Sequence, residues 1–210
     1  MAERPADKEH RPPSLIERKQ AAARTRIIDA ADALFAERGF DGVSVTDIAE
    51  RAEVGRTTFF RHFGDKSEVV FAKEQAMSAA IGDAASEPWN RDRPVDSLAG
   101  ALRALEPLVI RLCEQATADP VAYERHERLL DAHEELRARE ARKHQQMATG
   151  LAQVLVEHDA PPAIATTAAQ LALACYASGR LLATAPGDLA RRTRAAFRGT
   201  LAMGAASADG

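Results

Sequence analysis

The chain has 210 residues, 46% of them hydrophobic and 28% charged, with a formal net charge of −3 and a pI of about 6.1. That length allows one substantial domain or two small ones, and the acidic balance excludes nucleic-acid binding through bulk positive charge, so any such role must rest on local charge. Two widely spaced cysteines, Cys113 and Cys175, make neither a disulfide framework nor a zinc motif; they are expected to be buried free thiols, with a redox switch as the alternative.

Ala, Leu, Arg and Glu dominate, long stretches lack Gly and Pro, and no segment alternates apolar and polar residues in the manner of a strand. The expected class is therefore all-α. No apolar run approaches the length needed to cross a bilayer, and residues 1–14 are charged and proline-rich, without the apolar core of a signal peptide. A cytoplasmic protein with no membrane partner is expected.

In chain order, residues 1–13 read as a disordered arm with Pro5, Pro12 and Pro13. Ser14 and Glu17 have capping-box spacing, and Ile27, Ile28, Ala31, Leu34 and Phe35 then mark one buried helical stripe that Gly39 ends. Ser44 and Asp47 open a second, short helix with Val45, Ile48, Ala49 and Ala52 inward. After a turn at Glu53–Gly55, a third helix runs about 56–63 with Phe59 and Phe63 one turn apart, and Gly64 stops it. A fourth is expected from Lys66 to about Ala85, then a loop over Ser86–Pro94. Further helices are expected at about 95–116, with Pro107 kinking it, from Pro120 to near Asp131, and at about 133–157, a highly charged stretch read as a solvated face. Two apolar helices, about 163–184 and 188–203, close the chain.

Residues 24–71 carry the functional signal. The second and third helices, joined by a tight turn, have helix-turn-helix form, and the third must pack by one face while the other enters a major groove. Phe59 and Phe63 supply the inward face. Arg56, Thr57, Thr58, Phe60, Arg61 and His62 fall on or beside the outward one, although Phe60 is open to either exposure or burial. Arginine can donate two hydrogen bonds to a guanine edge, and threonine can meet a phosphate or a thymine methyl. The stretch 54–66 carries +2 and residues 1–28 carry +3, so the segments expected near DNA are basic inside an acidic protein.

The segment Ile27–Val70 resembles the DNA-binding domain of tetracycline-repressor-type (TetR family) regulators. The resemblance rests on Ile28, Ala31, Leu34, Phe35, Gly39, Phe40, Val45, Asp47, Ile48, Ala49, Val54, Thr58, Phe59, His62, Phe63 and Lys66, and covers about a fifth of the chain. It implies that Ser44 and Thr46 lie at DNA at the start of the second helix, and that Arg56 and Thr57 read base edges. It further implies that Thr58 and His62 contact phosphate, and that Lys66 and its helix N-terminus face one phosphate. Gly55 stands where the family has a serine cap, Phe60 where a tyrosine is usual, and Arg61 where an aromatic is frequent, so the operator sequence does not follow from the resemblance.

The resemblance divides the chain into the arm 1–13, a helix-turn-helix domain 14–65 and a helical ligand-binding and dimerisation domain 66–205, about nine helices in all. It implies a homodimer on a double-stranded, pseudo-palindromic operator, released by a small-molecule effector, with no cofactor, metal or catalytic residue. Expected dimer-interface residues are Leu171, Cys175, Ser178, Leu182, Leu189, Ala196 and Phe197, with a purely intramolecular core as the alternative. Apolar character with a few polar groups nominates Leu105, Leu108, Cys113, Tyr123, His126, Met147 and Tyr176 for the effector pocket, with Pro107 widening it. His126, His133, His144 and His158 are too scattered for a metal site, no serine lies in a nucleophile elbow, and no glycine-rich phosphate loop exists. Two other readings stay open: an all-helical enzyme or ligand carrier with an incidental N-terminal bundle, and an adaptor that docks through the charged helix at 131–157.

Overall fold

The computed structural model describes residues 14–72 and 95–206. The arm 1–13, the continuation of the fourth helix to Ala85, the loop Ser86–Pro94 and residues 207–210 lie outside the described residues. Within them every regular element is helical: nine α-helices and one 3₁₀ turn. The chain divides after Val70 into an N-terminal unit, the head, and a C-terminal unit, the body.

The head is built from α1 (Leu15–Arg38), α2 (Val45–Arg51), α3 (Arg56–His62) and the short α4 (Lys66–Val70). Both expected capping boxes form. Ser14 N–H donates to Glu17 Oε2 at 2.6 Å while Glu17 N–H donates to Ser14 Oγ, and Ser44 N–H donates to Asp47 Oδ2 at 2.8 Å while Asp47 N–H donates to Ser44 Oγ. Gly39 ends α1 at φ +73°, and its N–H bonds Phe35 O at 3.1 Å. Ile27, Ala31, Leu34, Phe35, Phe40, Ile48, Phe59 and Phe63 form the buried centre that fixes these short helices to one another. That centre matters because helices of seven residues have little stability of their own.

The body comprises α5 (Leu98–Ala116), α6 (Pro120–Ala132), α7 (Glu134–Glu157), α8 (Pro162–Leu182) and α9 (Leu189–Ala206). Helix α8 packs against α5, α7 and α9, which suits its apolar, small-residue composition. Leu102, Leu105, Val109, Leu151, Leu155, Ala165, Ala169, Ala172 and Phe197 share the core. Helix α5 runs through Pro107 as a single element with the proline ring exposed. Both cysteines are free and buried; Cys113 contacts Thr193 Oγ1 at 3.7 Å and Cys175 contacts Thr200 Oγ1 at 3.5 Å. Burial pushes both thiols up from their ordinary range, away from the thiolate that redox chemistry needs.

Gly179 marks a close approach of α8 and α9. A Cβ placed there would lie 2.2 Å from Thr193 Oγ1, 2.7 Å from its backbone nitrogen and 2.8 Å from its Cα. Backbone cannot swing aside as a side chain can, so Gly179→Ala forces the two helices apart. The expected cost is about 3 kcal/mol, the upper end for overpacking, read as a fall in the denaturant midpoint; an unchanged midpoint contradicts the close crossing.

Candidate nucleic-acid interface

The turn between α2 and α3 sets the aim of α3. Glu53 takes the left-handed conformation at φ +53°, and Val54 N–H bonds back to Ala49 O at 3.0 Å, which reverses the chain within three residues. Gly55 then opens α3 with no side-chain cap. Phe59 and Phe63 are buried with ring centroids 5.8 Å apart, and Phe60 meets the edge of Phe59 from outside at 5.5 Å. These aromatics fix the roll of α3 about its own axis.

With that roll, Arg56, Thr57, Phe60 and Arg61 are exposed on one face, while Thr58 and His62 are half-buried along its margin. The Arg56 guanidinium lies 6.0 Å from the Phe60 ring centroid, and neither Arg56 nor Arg61 makes an ion pair among the described residues. The cations beside them differ: Arg38 pairs with Asp47 at 3.3 Å, and Arg51 pairs with Glu37 at 2.8 Å. Arg56 and Arg61 thus keep their charge on the element whose outward face a groove could receive, and exposed Arg18, Lys19 and Arg26 of α1 are likewise without an ion pair among the described residues.

Three expected contacts have prior commitments. The Ser44 hydroxyl accepts from Asp47 N–H and donates to the Asp47 carboxylate, so its hydrogen is already used; Thr46, half-buried two positions on, carries no such tie. The Lys66 ammonium donates to Phe40 O at 2.8 Å and Val43 O at 3.1 Å and sits 4.2 Å from the Phe40 ring centroid. Two of its three hydrogens thus close the α1–α2 turn, leaving one for a phosphate. Lys66→Met should lower head stability by about 2 kcal/mol, the scale of hydrogen bonds to a charged donor, measured by thermal unfolding; unchanged stability would make Lys66 a surface cation.

His62 is the third. Its Nε2 is enclosed without a hydrogen-bond partner, so Nδ1 is the nitrogen left to reach a phosphate. Burial first, then the charges of Arg61 and Arg24, lower its pKa below the ordinary histidine value of 6.5. The unfolded chain therefore binds this proton more readily than the folded one, so the neutral form stabilises the fold above pH 6.5 and that stabilisation is lost as pH falls below it. Unfolding midpoints from pH 7.5 to 5 should drop in the native head more steeply than in His62→Asn; parallel profiles would show that His62 is solvated.

Residues 27–72 match the family model described as "Bacterial regulatory proteins, tetR family". This is a tetR-family segment. Among curated proteins, the chain is 36% identical over 93 residues to the HTH-type transcriptional regulator TcmR of Streptomyces glaucescens, covering 44% of this chain and 41% of that one. It is 35% identical over 102 residues to the HTH-type transcriptional repressor Rv3405c of Mycobacterium tuberculosis, covering 49% and 50%. The chain thus spans half or less of the length of these curated relatives. The fold is similar to that of Thermus thermophilus FadR, a TetR-family transcriptional repressor solved in complex with lauroyl-CoA, at TM-score 0.53 and 23% identity over 83% of this chain and 91% of that one. The tetR-family segment contains α2, α3 and α4 whole and the second half of α1.

In the body, the structure gathers Leu105, Leu108 and Cys113 into the core and packs Tyr123, Met147 and Tyr176 against it. His126 instead meets the Phe71 ring edge-on at 5.6 Å. The expected dimer residues divide. Leu189 and Phe197 are wholly enclosed within the subunit's own core and Cys175 nearly so, which removes all three from any outward face. Leu171 and Ala196 are half-buried against the same core, whereas Ser178 and Leu182 are exposed.

Sequence reasoning missed a charged cluster. Arg180 on α8 donates from Nε to Glu127 of α6 at 2.7 Å and from Nη1 to Glu140 of α7 at 2.6 Å. Glu140 is only 9% exposed, not part of a solvated face. The signals were present: Glu140 stands in the stripe Leu136–Glu140–Met147–Leu151, and Arg180 is the sole charge in α8. A lone charge in an apolar stripe needs a buried partner.

Proposed function

We propose that the protein is a ligand-responsive, DNA-binding transcriptional regulator that acts in the cytoplasm as a repressor, binding a pseudo-palindromic operator as a homodimer and leaving it when a small-molecule effector binds. The carrying observation is the exposed α3 face of Arg56, Thr57, Phe60 and Arg61, locked in orientation by buried Phe59 and Phe63. In this reading Arg56 and Thr57 read base edges, and Arg61, Thr46, Thr58, Lys66 and the Nδ1 side of His62 meet phosphates. The tetR-family match and the names of the relatives support the same assignment.

The dimer face we assign to the outward stripes of α8 and α9. Leu181 and Leu182 are 85% and 62% exposed, beside Ala174, Ala177 and Ser178, and α9 offers Ala195, Gly199 and Met203, the last 68% exposed. Small residues let helices approach closely while the large exposed ones need cover. A twofold pairing there presents two copies of α3 to two half-sites. The body core around Leu105, Leu108, Tyr123, Met147 and Tyr176 is the proposed effector region. An effector that prefers the DNA-free state weakens DNA binding by the factor by which DNA weakens effector binding.

The test is selection of bound fragments from the native genome by the purified full chain at low salt. Recovery of a shared inverted-repeat sequence supports the assignment. Failure to retain any fragment, with a folded dimer demonstrated by light scattering, would refute it.

A further inference from the structure

Helix α1 starts at Leu15, whereas the tetR-family segment starts at residue 27. Residues 14–22 are all exposed, and the buried stripe of α1 begins only at Ala23. The first two turns therefore extend past the head core as helix. Packed against nothing, they gain no stability from tertiary contacts, yet the Ser14–Glu17 capping box closes their start. Residues 14–26 carry Arg18, Lys19, Arg24 and Arg26 against one carboxylate, Glu17, which is engaged by the Ser14 N–H. Arg18, Lys19 and Arg26 fall within about 100° of one another around the helix, with small Ala22 and Thr25 on the same side. All three cations are exposed and without an ion pair among the described residues. Arg24 lies on another side of α1. Its guanidinium is 5.2 Å from the ring centroid of Phe63, the C-cap of α3, and its charge helps to lower the His62 pKa. Arg24 thus joins the positive charge of α1 to the Arg61–His62 end of α3.

We propose that the N-terminal half of α1 is a second DNA contact, holding the phosphate backbone that flanks each half-site through Arg18, Lys19 and Arg26 without reading sequence; the inference rests on the DNA-binding reading above. Continuity with α3 favours duplex DNA over an acidic protein surface. A duplex received by α3 brings its own flanking strands, each with a phosphate about every 3.4 Å of axis. From Arg18 to Arg26 the helix rises about 12 Å, the span of about three such phosphates. The stripe is fully exposed and none of its side chains is fixed by packing, so it can add affinity but not the oriented donors that base reading needs.

The test uses the full chain and an inverted-repeat fragment selected from the native genome. Arg18→Gln/Lys19→Gln/Arg26→Gln should flatten the slope of log affinity against log salt by about 5 units, from three phosphates in each of two subunits. Its ranking of operator sequences and its thermal midpoint should remain native. The charge-matched variant Arg103→Gln/Arg128→Gln/Arg142→Gln, at exposed positions of the body, should keep the native slope. Trimming the fragment to the outer edges of its half-sites should cost the native chain at least about tenfold in affinity and the α1 variant almost nothing. A native slope in the α1 variant, an equal fall in the body variant, or trimming that affects both chains alike overturns the proposal. Where the native chain still protects paired half-sites, those results leave the α3 reading standing. A native chain that binds no fragment overturns both.

Discussion

Arg180→Met is expected to be the most damaging polar substitution in the body, lowering unfolding stability by about 3 kcal/mol. The physical reason is the carboxylate left behind. Glu140 is 9% exposed and takes a 2.6 Å hydrogen bond from Arg180. Without that partner it must remain buried as an unpaired charge or take up a proton, and both are unfavourable. The partial exposure of Glu127 and Arg180 places the effect at the lower end of the range for broken buried pairs. Urea unfolding measures it directly. The pairing also predicts coupling: in a Glu140→Gln background the same Arg180→Met change should cost much less. A midpoint within experimental error of the native chain in the first background would show the triad to be solvent-screened.

The largest functional effect is expected from Arg56→Ala combined with Arg61→Ala. Both side chains are exposed on α3, both lack ion pairs among the described residues, and neither contributes to the buried aromatic set. Folding should be nearly unchanged. A base contact is worth about 1–3 kcal/mol and each phosphate contact raises the salt dependence of binding by about one unit. A dimer doubles each loss, so operator affinity should fall by about a thousandfold or more. The single variants should differ in kind. Arg56→Ala should change sequence preference, whereas Arg61→Ala should weaken all sequences and flatten the salt dependence. Equal losses on every operator for Arg56→Ala would reverse the two roles.

The head was legible in the sequence because its rules are local. Ser14 with Glu17 and Ser44 with Asp47 announce helix starts by spacing alone, Gly39 announces a stop, and Phe59 in α3 and Phe63 at its C-cap, one turn apart, mark its inward face. The Lys66 clamp was not legible, because its acceptors are backbone carbonyls 23 and 26 residues away, with no side-chain signature. In the body, helix positions followed from periodicity, but which apolar stripe faces inward did not. Helices α8 and α9 are apolar or small on several sides, and only packing reveals that Phe197 and Leu189 face the core while Leu181 and Met203 face outward. Glu140 and Arg180 looked like ordinary helix charges because their partners are 40 residues apart. Gly179 carries no local signal either, since its constraint comes from the Thr193 backbone of the next helix.

Hydroxyl-radical footprinting of the full chain on a genomically selected fragment tests the central claim most directly. Two protected half-sites related by a twofold axis, their centres one helical turn (about 34–36 Å) or a multiple apart, are expected for the native chain and should vanish for Arg56→Ala/Arg61→Ala at the same concentration. A single unpaired footprint, or full protection by a folded double variant, would contradict DNA reading by paired copies of α3.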